Sequence, residues 1–504
     1  MQSKGIKNVV FGLFNQFITI AFGLVLPRMF IMSYGSEVNG LISSINQLFV
    51  YVALLEAGIG TASLQALYKT IAENDKDATN GILSATHYFY KQTGFWYFIA
   101  VVVLSLGYPL LVPSEIPFWT VFFVIFFHGL GGVVNYLFQG VFRIFLRAEG
   151  KNYLLSNIST FTYLATSISK ILFISLGFNI VTIQIAYFII TLSQMLFIVF
   201  YIKKNYKWID LTVTPNKKAL STKNSVIIHQ ISNLVFSNTD VLILTFFSGL
   251  KTVSVYTLYN SFFTMLKSVL FSFLDGLQYA LGQTFNSDFK KFKKMQDLFE
   301  VNYITLTFLL YTILYVLISP FIYLYTNDIK DINYISFWIP LLFTLIYLLQ
   351  GARGPMQLVS EYARHFKQTR GQAIIEMIIN LSVSVVGVYL WGIYGVLFGT
   401  IAALIYRANA IILYVNKHIL ERNPLVTYKR WGWCFSIFVI VCVANYYITL
   451  SVSSYFELIL YAIPVTVITT VLYIGGMYIF ERDSFKYLIS LLKAKIPFLN
   501  HKAN

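Results

Sequence analysis

The sequence predicts an all-α protein that crosses a membrane about fourteen times. Apolar stretches long enough to span a bilayer recur from one end of the chain to the other, and most of the links between them are short and polar. Hydrophobic residues make up 57% of the 504 residues and charged residues only 12%. Because each span needs about 20 residues, this many spans leave too little chain for an additional soluble domain.

The predicted spans follow one another along the whole chain. In order they are 8–33, 39–66, 94–113, 117–141, 154–177, 181–202, 225–248, 253–282, 301–325, 335–359, 371–391, 394–415, 431–450 and 457–480. The lysines ahead of the first stretch resemble the start of a signal peptide, but no small-residue cleavage site leads into a soluble region, so we expect a retained helix. Cys434 and Cys442 share one late span, which favours neither a disulfide framework nor a metal site.

The basic residues lie mostly on one side of this arrangement. Thirty Lys and Arg residues fall near the termini or in even-numbered links, whereas the other links hold only Lys251 and Lys330. This asymmetry predicts a plasma-membrane protein with both termini in the cytoplasm. The net charge of +16 therefore indicates topology and attraction to anionic lipid, and we expect no nucleic-acid partner.

The chain also predicts two parallel repeats. Lys7-Asn8 opens the first span and Lys223-Asn224 the seventh, and acid-and-glycine patterns at Glu56 and Asp275 follow at similar distances. The predicted organisation is an N-lobe of six spans at 1–202, a cytoplasmic linker at 203–224, a C-lobe of six spans at 225–416, a final helix pair at 417–482 and a basic amphipathic tail at 483–504. Transporters built from parallel repeats hold their substrate between the repeats.

Charged residues inside the spans are the candidate site residues, because each one costs about 2.5–3.5 kcal/mol at mid-bilayer. They are Arg28, Glu56, Lys170, Asp240, Lys267, Asp275, Arg353, Glu376 and Arg407. Two cations facing one water-filled cavity would bind an anionic head group, and we predict this role for Arg28 and Lys267, with Lys170 as a further lining residue. The alternatives are snorkelling of Arg28 to the outer interface and an ion pair for Lys267.

The intramembrane carboxylates have two interpretations. Glu56, Asp275 and Asp240 could load and release a coupling cation or proton, since burial favours the protonated form. Alternatively, Glu56 and Asp275 cap helix breaks or pair with the nearby cations. The sequence leaves these alternatives open.

We predict less central roles for the remaining titratable residues inside the spans. Arg353 and Arg407, with Glu376, lie toward the cytoplasmic ends of their spans, where they would line an entrance or snorkel. We expect His128 and His229 to be packed, hydrogen-bonded histidines.

The motifs that the chain lacks favour a transporter over a membrane enzyme. No G-x-x-x-x-G-K-[ST] loop and no H-E-x-x-H motif occurs. The outer links are also too short to carry the paired carboxylates that a polymerase or glycosyltransferase would need there. We therefore expect no enzymatic activity and no cofactor.

Several short motifs resemble the Wzx-type polysaccharide flippases. They are Leu26-Pro27-Arg28, Tyr34-Gly35, Val38-Asn39-Gly40, the run Leu54–Ala62 with Glu56, and late in the chain Glu376, Asn380, Gly392, Gly395 and Gly399-Thr400. The resemblance covers most of the first 415 residues, and the family belongs to the MOP superfamily with the MATE exporters and the lipid II flippase MurJ. It implies two six-helix lobes, a central cationic cavity and alternating access.

The resemblance also implies a substrate, an undecaprenyl-diphosphate-linked oligosaccharide moved from the inner to the outer leaflet. Arg28 would then contact the diphosphate, and Glu56 would belong to an acid site in the second span. The expected partners are this polyprenyl-diphosphate-linked glycan, membrane lipids and polysaccharide polymerase or synthesis machinery. Either an ion gradient or the membrane potential could drive the movement, the latter by about 2.3 kcal/mol per charge per 100 mV.

Three other functions stay open at this point. A MATE-like drug antiporter would export organic cations, and a lipid II flippase would move a related diphosphate. A scaffold for polysaccharide synthesis would transport nothing and would not need Arg28 or Lys267.

Overall fold

The computed structural model describes residues 2–56, 58–220, 234, 238–448, 452–484 and 486. For residues 2–17, 272–277 and 279 it describes the backbone only. The described part of the chain is helical and contains no strand. Its helices are α1 (Gln2–Val52), α2 (Ile59–Ala72), α3 (Lys76–Leu111), α4 (Phe118–Val134), α5 (Gly140–Ala148), α6 (Asn152–Ser175), α7 (Ile180–Asn205), α8 (Asn238–Phe247), α9 (Leu250–Ser287), α10 (Phe289–Thr326), α11 (Trp338–Tyr362), α12 (Phe366–Trp391), α13 (Ile393–His418), α14 (Leu425–Tyr447) and α15 (Tyr455–Phe480).

Among the described residues, ten helices are long and apolar enough to cross a membrane, so the chain is a multi-pass membrane protein. One of them, Ile18–Glu56, is divided at Gly35, whose φ of 83° breaks α1 between the first two predicted spans. Helices α9 and α11, with 38 and 25 residues, are also long enough to cross. The total of fourteen spans stays a prediction, since most of 221–237 lies outside the described residues.

The predicted helix hairpins are present where glycine and asparagine interrupt the apolar pattern. Gly177, with a φ of 76°, follows α6, and Asn179 caps α7 by accepting a hydrogen bond from the amide of Thr182 at 2.9 Å. Gly392, with a φ of 55°, separates α12 from α13. The left-handed backbone needed at both turns explains why glycine stands there.

Two predicted spans are shorter than the helical segments that contain them. The fourth span was expected to end at 141, but a π-helical turn at Asn135–Gln139 continues into α5, which ends at Ala148. The ninth span was expected from 301, but α10 begins at Phe289, capped by the carboxylate of Asp288. Helix and apolar span therefore differ in extent, and basic residues predicted for links lie on helices instead.

The chain forms two compact units, Met1–Thr257 and Leu258–Asn504, which divide inside α9. The core of the first unit includes fully buried Leu41, Ile45 and Val101. A core cluster of the second unit surrounds Phe292 and Met356. The predicted lobe boundary at 203–224 stays a prediction, and the predicted tail at 483–504 lies almost wholly outside the described residues.

Candidate functional site

Lys267 lies on α9 and is held by a residue of α11. Its ammonium donates a hydrogen bond to Oε1 of Gln350, with 3.0 Å between the two atoms. The side chain is exposed in the structure rather than packed in the core. Arg353, one turn further along α11, lies near enough for its charge to repel that of Lys267. Two cations therefore share one polar region of the second unit.

Glu376 on α12 joins Arg353 and Arg407 in an ion-pair cluster. One carboxylate oxygen accepts a hydrogen bond from the Arg353 guanidinium, and the other lies 3.4 Å from Nε of Arg407. Arg407 also donates to Oε1 of Gln372 at 2.7 Å. Glu376 is 6% exposed, so the cluster is buried and each partner depends on the others for compensation of its charge. The predicted entrance role of the two arginines stays a prediction.

Small residues bring α12 and α13 close enough to form this cluster. A side chain at Gly395 would overlap the backbone of Gly387, and one at Gly399 would overlap Ser384. The amide of Asn380 donates to Thr400 Oγ1 at 3.0 Å between the same helices. Close contact through small residues and interhelical hydrogen bonds is the usual way of packing helices in membranes.

Glu56 lies at a break between two helical segments of the first unit. It ends a 3₁₀ turn at Ala53–Glu56, and Gly58, with a φ of 84°, precedes α2. Its Oε1 accepts hydrogen bonds from the amide of Gly60 at 3.0 Å and from the hydroxyl of Tyr90 at 2.7 Å. The carboxylate thus caps the helix break, which is one of the two interpretations that the sequence left open.

A polar pocket of about 450 Å³ lies beside Glu56 within the first unit. The π-helical turn at Asn135–Gln139 forms part of its wall, and such turns interrupt regular helices frequently at functional sites. Arg143 and Arg147, one turn apart on α5, line the same pocket. Sequence reasoning missed both arginines because it placed them in a loop after the fourth span.

A repeated motif connects this pocket with the Lys267 region. Tyr136-Leu137-Phe138-Gln139-Gly140 in the fourth predicted span matches Tyr347-Leu348-Leu349-Gln350-Gly351 in the tenth. In both copies an added side chain at the glycine would crowd the preceding long helix, at Tyr90 on α3 in the first and at Thr307 on α10 in the second. The motif adds to the sequence argument for parallel repeats, and a direct comparison of these spans could have found it.

The other predicted residues of the first unit make specific contacts. Asp240, 8% exposed, accepts a hydrogen bond from Tyr256 at 2.9 Å. The Lys170 ammonium lies 5.5 Å from the centre of the Tyr187 ring. His128 stacks on that same ring with 5.5 Å between centroids, as expected for a packed histidine. Tyr187 also lines the polar pocket, so Lys170 and His128 both contact a residue of its wall.

Three predictions cannot be placed in the same detail. Arg28 lies on α1 directly after Pro27 and is half-buried in the first unit. Asp275 belongs to the backbone of α9, but its side chain lies outside the described residues, and so does the whole of His229. The ligand-binding roles of Arg28 and Lys267 stay predictions.

Sequence reasoning also missed a buried ion-pair network that ties α10 to α14. Glu300 is fully buried and accepts from the guanidinium groups of Arg422 and Arg430, the latter at 2.7 Å. Asp297, one turn earlier on α10, pairs with the same two arginines. From the sequence, both arginines were counted only among the basic residues of the cytoplasmic side. The two acids at i and i+3 ahead of the ninth span were the available signal.

The chain has a fold similar to that of solved MOP-superfamily transporters. It is similar to the solved structure of a multidrug resistance MATE family transporter in its inward-facing conformation. That similarity has a TM-score of 0.65 and 17% identity, over 79% of this chain and 94% of the other.

A second neighbour matches more of the chain. The lipid II flippase MurJ, in an inward closed conformation, has a TM-score of 0.69 and 15% identity over 94% of this chain and 99% of its own. About 30 of the 504 residues are thus left unmatched. Helices α14 and α15 contain 23 and 26 residues, which together exceed the number left unmatched. The likeness therefore extends into the final helix pair.

A third neighbour is a MOP-superfamily transporter from Pyrococcus furiosus. The reverse polarity of that protein's binding pocket suggests that it has a different function. It has a TM-score of 0.55 and 15% identity over 80% of this chain and 93% of its own. No protein-family model matches the chain, and no curated protein matches it either. Identities this low establish the fold alone.

Proposed function

We propose that this protein is a flippase that moves an undecaprenyl-diphosphate-linked oligosaccharide from the inner to the outer leaflet of the plasma membrane. Capsule, O-antigen or exopolysaccharide synthesis would use the product. The observation that carries the proposal is the excess of cations over carboxylates among the described side chains of two polar clusters. The second unit has Lys267, Arg353 and Arg407 against Glu376. The pocket of the first unit has Arg143 and Arg147 against Glu56.

This excess suits a diphosphate better than an organic cation. Arginine binds phosphate oxygens through a planar fork of donors, and a diphosphate needs such donors to stay solvated while it crosses. Lys267 is hydrogen-bonded to a neutral side chain, so among the described residues this contact leaves its ammonium open to an anionic ligand. In the proposed mechanism, Arg28 and Lys267 contact the diphosphate while the lipid tail stays in the bilayer.

The proposed cycle alternates access between the two leaflets, with both termini in the cytoplasm. Glu56, Asp240 and Asp275 are the candidate coupling carboxylates. The membrane potential, negative inside, would also favour outward movement of the anionic head group.

A lipid II flippase is the second candidate, because MurJ matches 94% of this chain, whereas the MATE transporter matches 79%. Both candidates move a polyprenyl diphosphate and predict the same cationic contacts. They differ in the glycan, which an assay with each lipid distinguishes.

The test is depletion of the protein followed by quantification of lipid-linked oligosaccharides and lipid II in each leaflet. We expect one of these lipids to accumulate on the cytoplasmic side and to be cleared by the wild type, but not by Arg28→Ala or Lys267→Ala. Lys204→Ala, which removes an exposed charge near the end of α7, is the matched control and should clear it. Unchanged lipid intermediates with altered retention of cationic dyes would contradict the proposal and favour a drug antiporter.

A further inference from the structure

The polar pocket of the first unit contains a hydrogen-bond acceptor that no described residue satisfies. Gln139 is 2% exposed, and its Oε1 has no hydrogen-bond partner. An unsatisfied buried group loses its hydration without gaining a partner, so buried acceptors of this kind are few in native proteins. Its counterpart in the repeated motif, Gln350, receives the ammonium of Lys267. Oε1 of Gln139 could therefore accept a hydrogen bond from a donor on a ligand.

The same pocket has two arginines on one face of α5. Arg143 and Arg147 line it, and neither forms a close ion pair with a described residue, although Arg147 lies near enough to Glu56 for the two charges to attract each other. Like charges at i and i+4 of a helix repel each other, and a bound anion would relieve this repulsion. The pocket thus presents two cationic donors and an unsatisfied acceptor together.

Glu56 is the carboxylate that lines this pocket, and its repulsion of a bound anion is limited. Its Oε1 already accepts hydrogen bonds from Gly60 and Tyr90. The two arginines outnumber it, so the net charge of the lining side chains is positive. A carboxylate oxygen can also accept a hydrogen bond from a ligand hydroxyl.

We propose that this pocket binds a phosphate group that carries hydroxyls. The phosphate oxygens accept hydrogen bonds from Arg143 and Arg147, and a hydroxyl of the ligand donates to Oε1 of Gln139. The volume of about 450 Å³ lies within the range of small-molecule sites and exceeds what a phosphate alone needs. Tyr187 and Gln194 line the remaining space, which suits a phosphorylated polyol or sugar, either free or as a lipid head group.

The cations of this pocket also support the flippase proposal, but phosphate binding here can hold without it. Its residues are distinct from Arg28 and Lys267, and it lies wholly within the first unit. A protein that transports some other substrate could still bind a phosphate here, and binding can be measured without any transport assay.

The first test compares phosphate with sulfate by titration calorimetry on the purified full-length protein in detergent at neutral pH. Inorganic phosphate keeps a hydroxyl that can donate to Gln139, whereas sulfate has none. A site built to accept a hydrogen bond from a ligand hydroxyl strongly disfavours the analogue that lacks it. We expect phosphate to bind at least about tenfold more tightly than sulfate, and glycerol 3-phosphate more tightly than phosphate. Equal affinities, or no binding of either anion, would overturn the proposal.

The second test assigns the binding to these residues. Arg143→Gln should weaken both anions by about tenfold or more, because it removes a charge-assisted contact. Gln139→Leu should weaken phosphate and leave sulfate unchanged. Arg370→Gln, which removes an exposed charge on α12, is the matched control and should bind both anions as the wild type does. Since the phosphate and sulfate comparison uses the wild type, a variant that fails to fold leaves the proposal testable.

The third test identifies the source of the phosphate. The protein is placed in nanodiscs of phosphatidylglycerol or of phosphatidylcholine, and each sample is titrated with glycerol 3-phosphate. Weaker binding in phosphatidylglycerol means that the lipid head group occupies the pocket, and equal binding means a soluble ligand. Binding that persists undiminished in Arg143→Gln in both nanodiscs would place the ligand elsewhere and contradict the proposal.

Discussion

Lys267 of α9 donates a hydrogen bond to Gln350 of α11, with 3.0 Å between Nζ and Oε1. A lysine in mid-helix of a membrane protein is costly unless a polar partner or water receives its charge. Gln350 fixes the position of the ammonium without neutralising it. The contact therefore positions the ammonium group without offsetting its charge, which an ion pair with a carboxylate would do.

This contact predicts different results for its two members. Lys267→Met removes the charge and should reduce translocation of a diphosphate-linked lipid by about tenfold or more, the loss of one charge-assisted contact. Gln350→Leu keeps the charge and should reduce it less, since only the positioning is lost. Initial rates in reconstituted vesicles measure both. Equal loss in the two variants would mean that Lys267 acts through packing rather than through its charge.

Two substitutions of Glu56 can separate its role as a helix cap from a role in coupling transport to a cation. Glu56→Gln keeps the Oε1 acceptor for Gly60 and Tyr90, so the melting temperature should stay close to that of the wild type. Glu56→Leu loses both hydrogen bonds and should cost about 1–3 kcal/mol of unfolding free energy. If Glu56 couples transport to a cation, Glu56→Gln also abolishes the dependence of transport on the ion gradient. Unchanged ion dependence in this stable variant would restrict Glu56 to capping.

Substitution of Glu376 should cause a large loss of stability. Glu376→Gln removes the carboxylate that pairs with buried Arg407 and with Arg353, which should cost about 3–5 kcal/mol. The matched control is Glu361→Gln, an exposed acid on α11 that accepts only from Gln357 among the described residues. Thermal unfolding in detergent compares the two. A similar small effect in both variants would show that the buried cluster is not needed for stability.

The network at Glu300 should be strongly coupled. We expect a double-mutant cycle of Glu300→Gln and Arg430→Gln to give a coupling free energy of about 1–3 kcal/mol, because both groups are buried. The exposed pair Lys251 and Glu115, 3.2 Å apart, should give less than about 1 kcal/mol in the same cycle. Coupling of equal size in the two cycles would contradict the structural contribution of the network.

Gly40 predicts a steric effect on the first unit. An added methyl group would overlap the backbone carbonyl of Leu250, which cannot move aside as a side chain could. Gly40→Ala should therefore cost about 1–3 kcal/mol or more. Gly107→Ala, where nothing lies within 4 Å, should instead stabilise α3 by up to about 1 kcal/mol. Melting temperatures that shift in the same direction would contradict this contact.

Much of the fold follows from the sequence, because apolar length and turn residues are local signals. The predicted spans 154–177 and 371–391 lie close to α6 and α12, which are Asn152–Ser175 and Phe366–Trp391. Gly177 and Gly392 mark the turns that follow them. The same local signals failed at Arg143, where a charge indicated a loop although the helix continues for another turn.

The partners of the charged residues could not be predicted from the sequence. Glu376 meets Arg353 and Arg407 because α11, α12 and α13 pack side by side, and nothing in the spacing of these residues specifies that packing. The pocket at Gln139 depends on a π-helical turn that has no simple sequence signature. Long-range packing, rather than residue type, therefore determines which charges compensate each other and which line a site.

The most direct test of the account is translocation by the purified protein in proteoliposomes. A labelled undecaprenyl-diphosphate oligosaccharide is placed in both leaflets, and its accessibility to an external quencher is followed over time. We predict translocation by the wild type and by Lys204→Ala, reduced by about tenfold or more in Arg28→Ala and in Lys267→Ala. Translocation that proceeds equally well in all four proteins, or none in the wild type while organic cations are exported, would contradict a flippase with a cationic binding site.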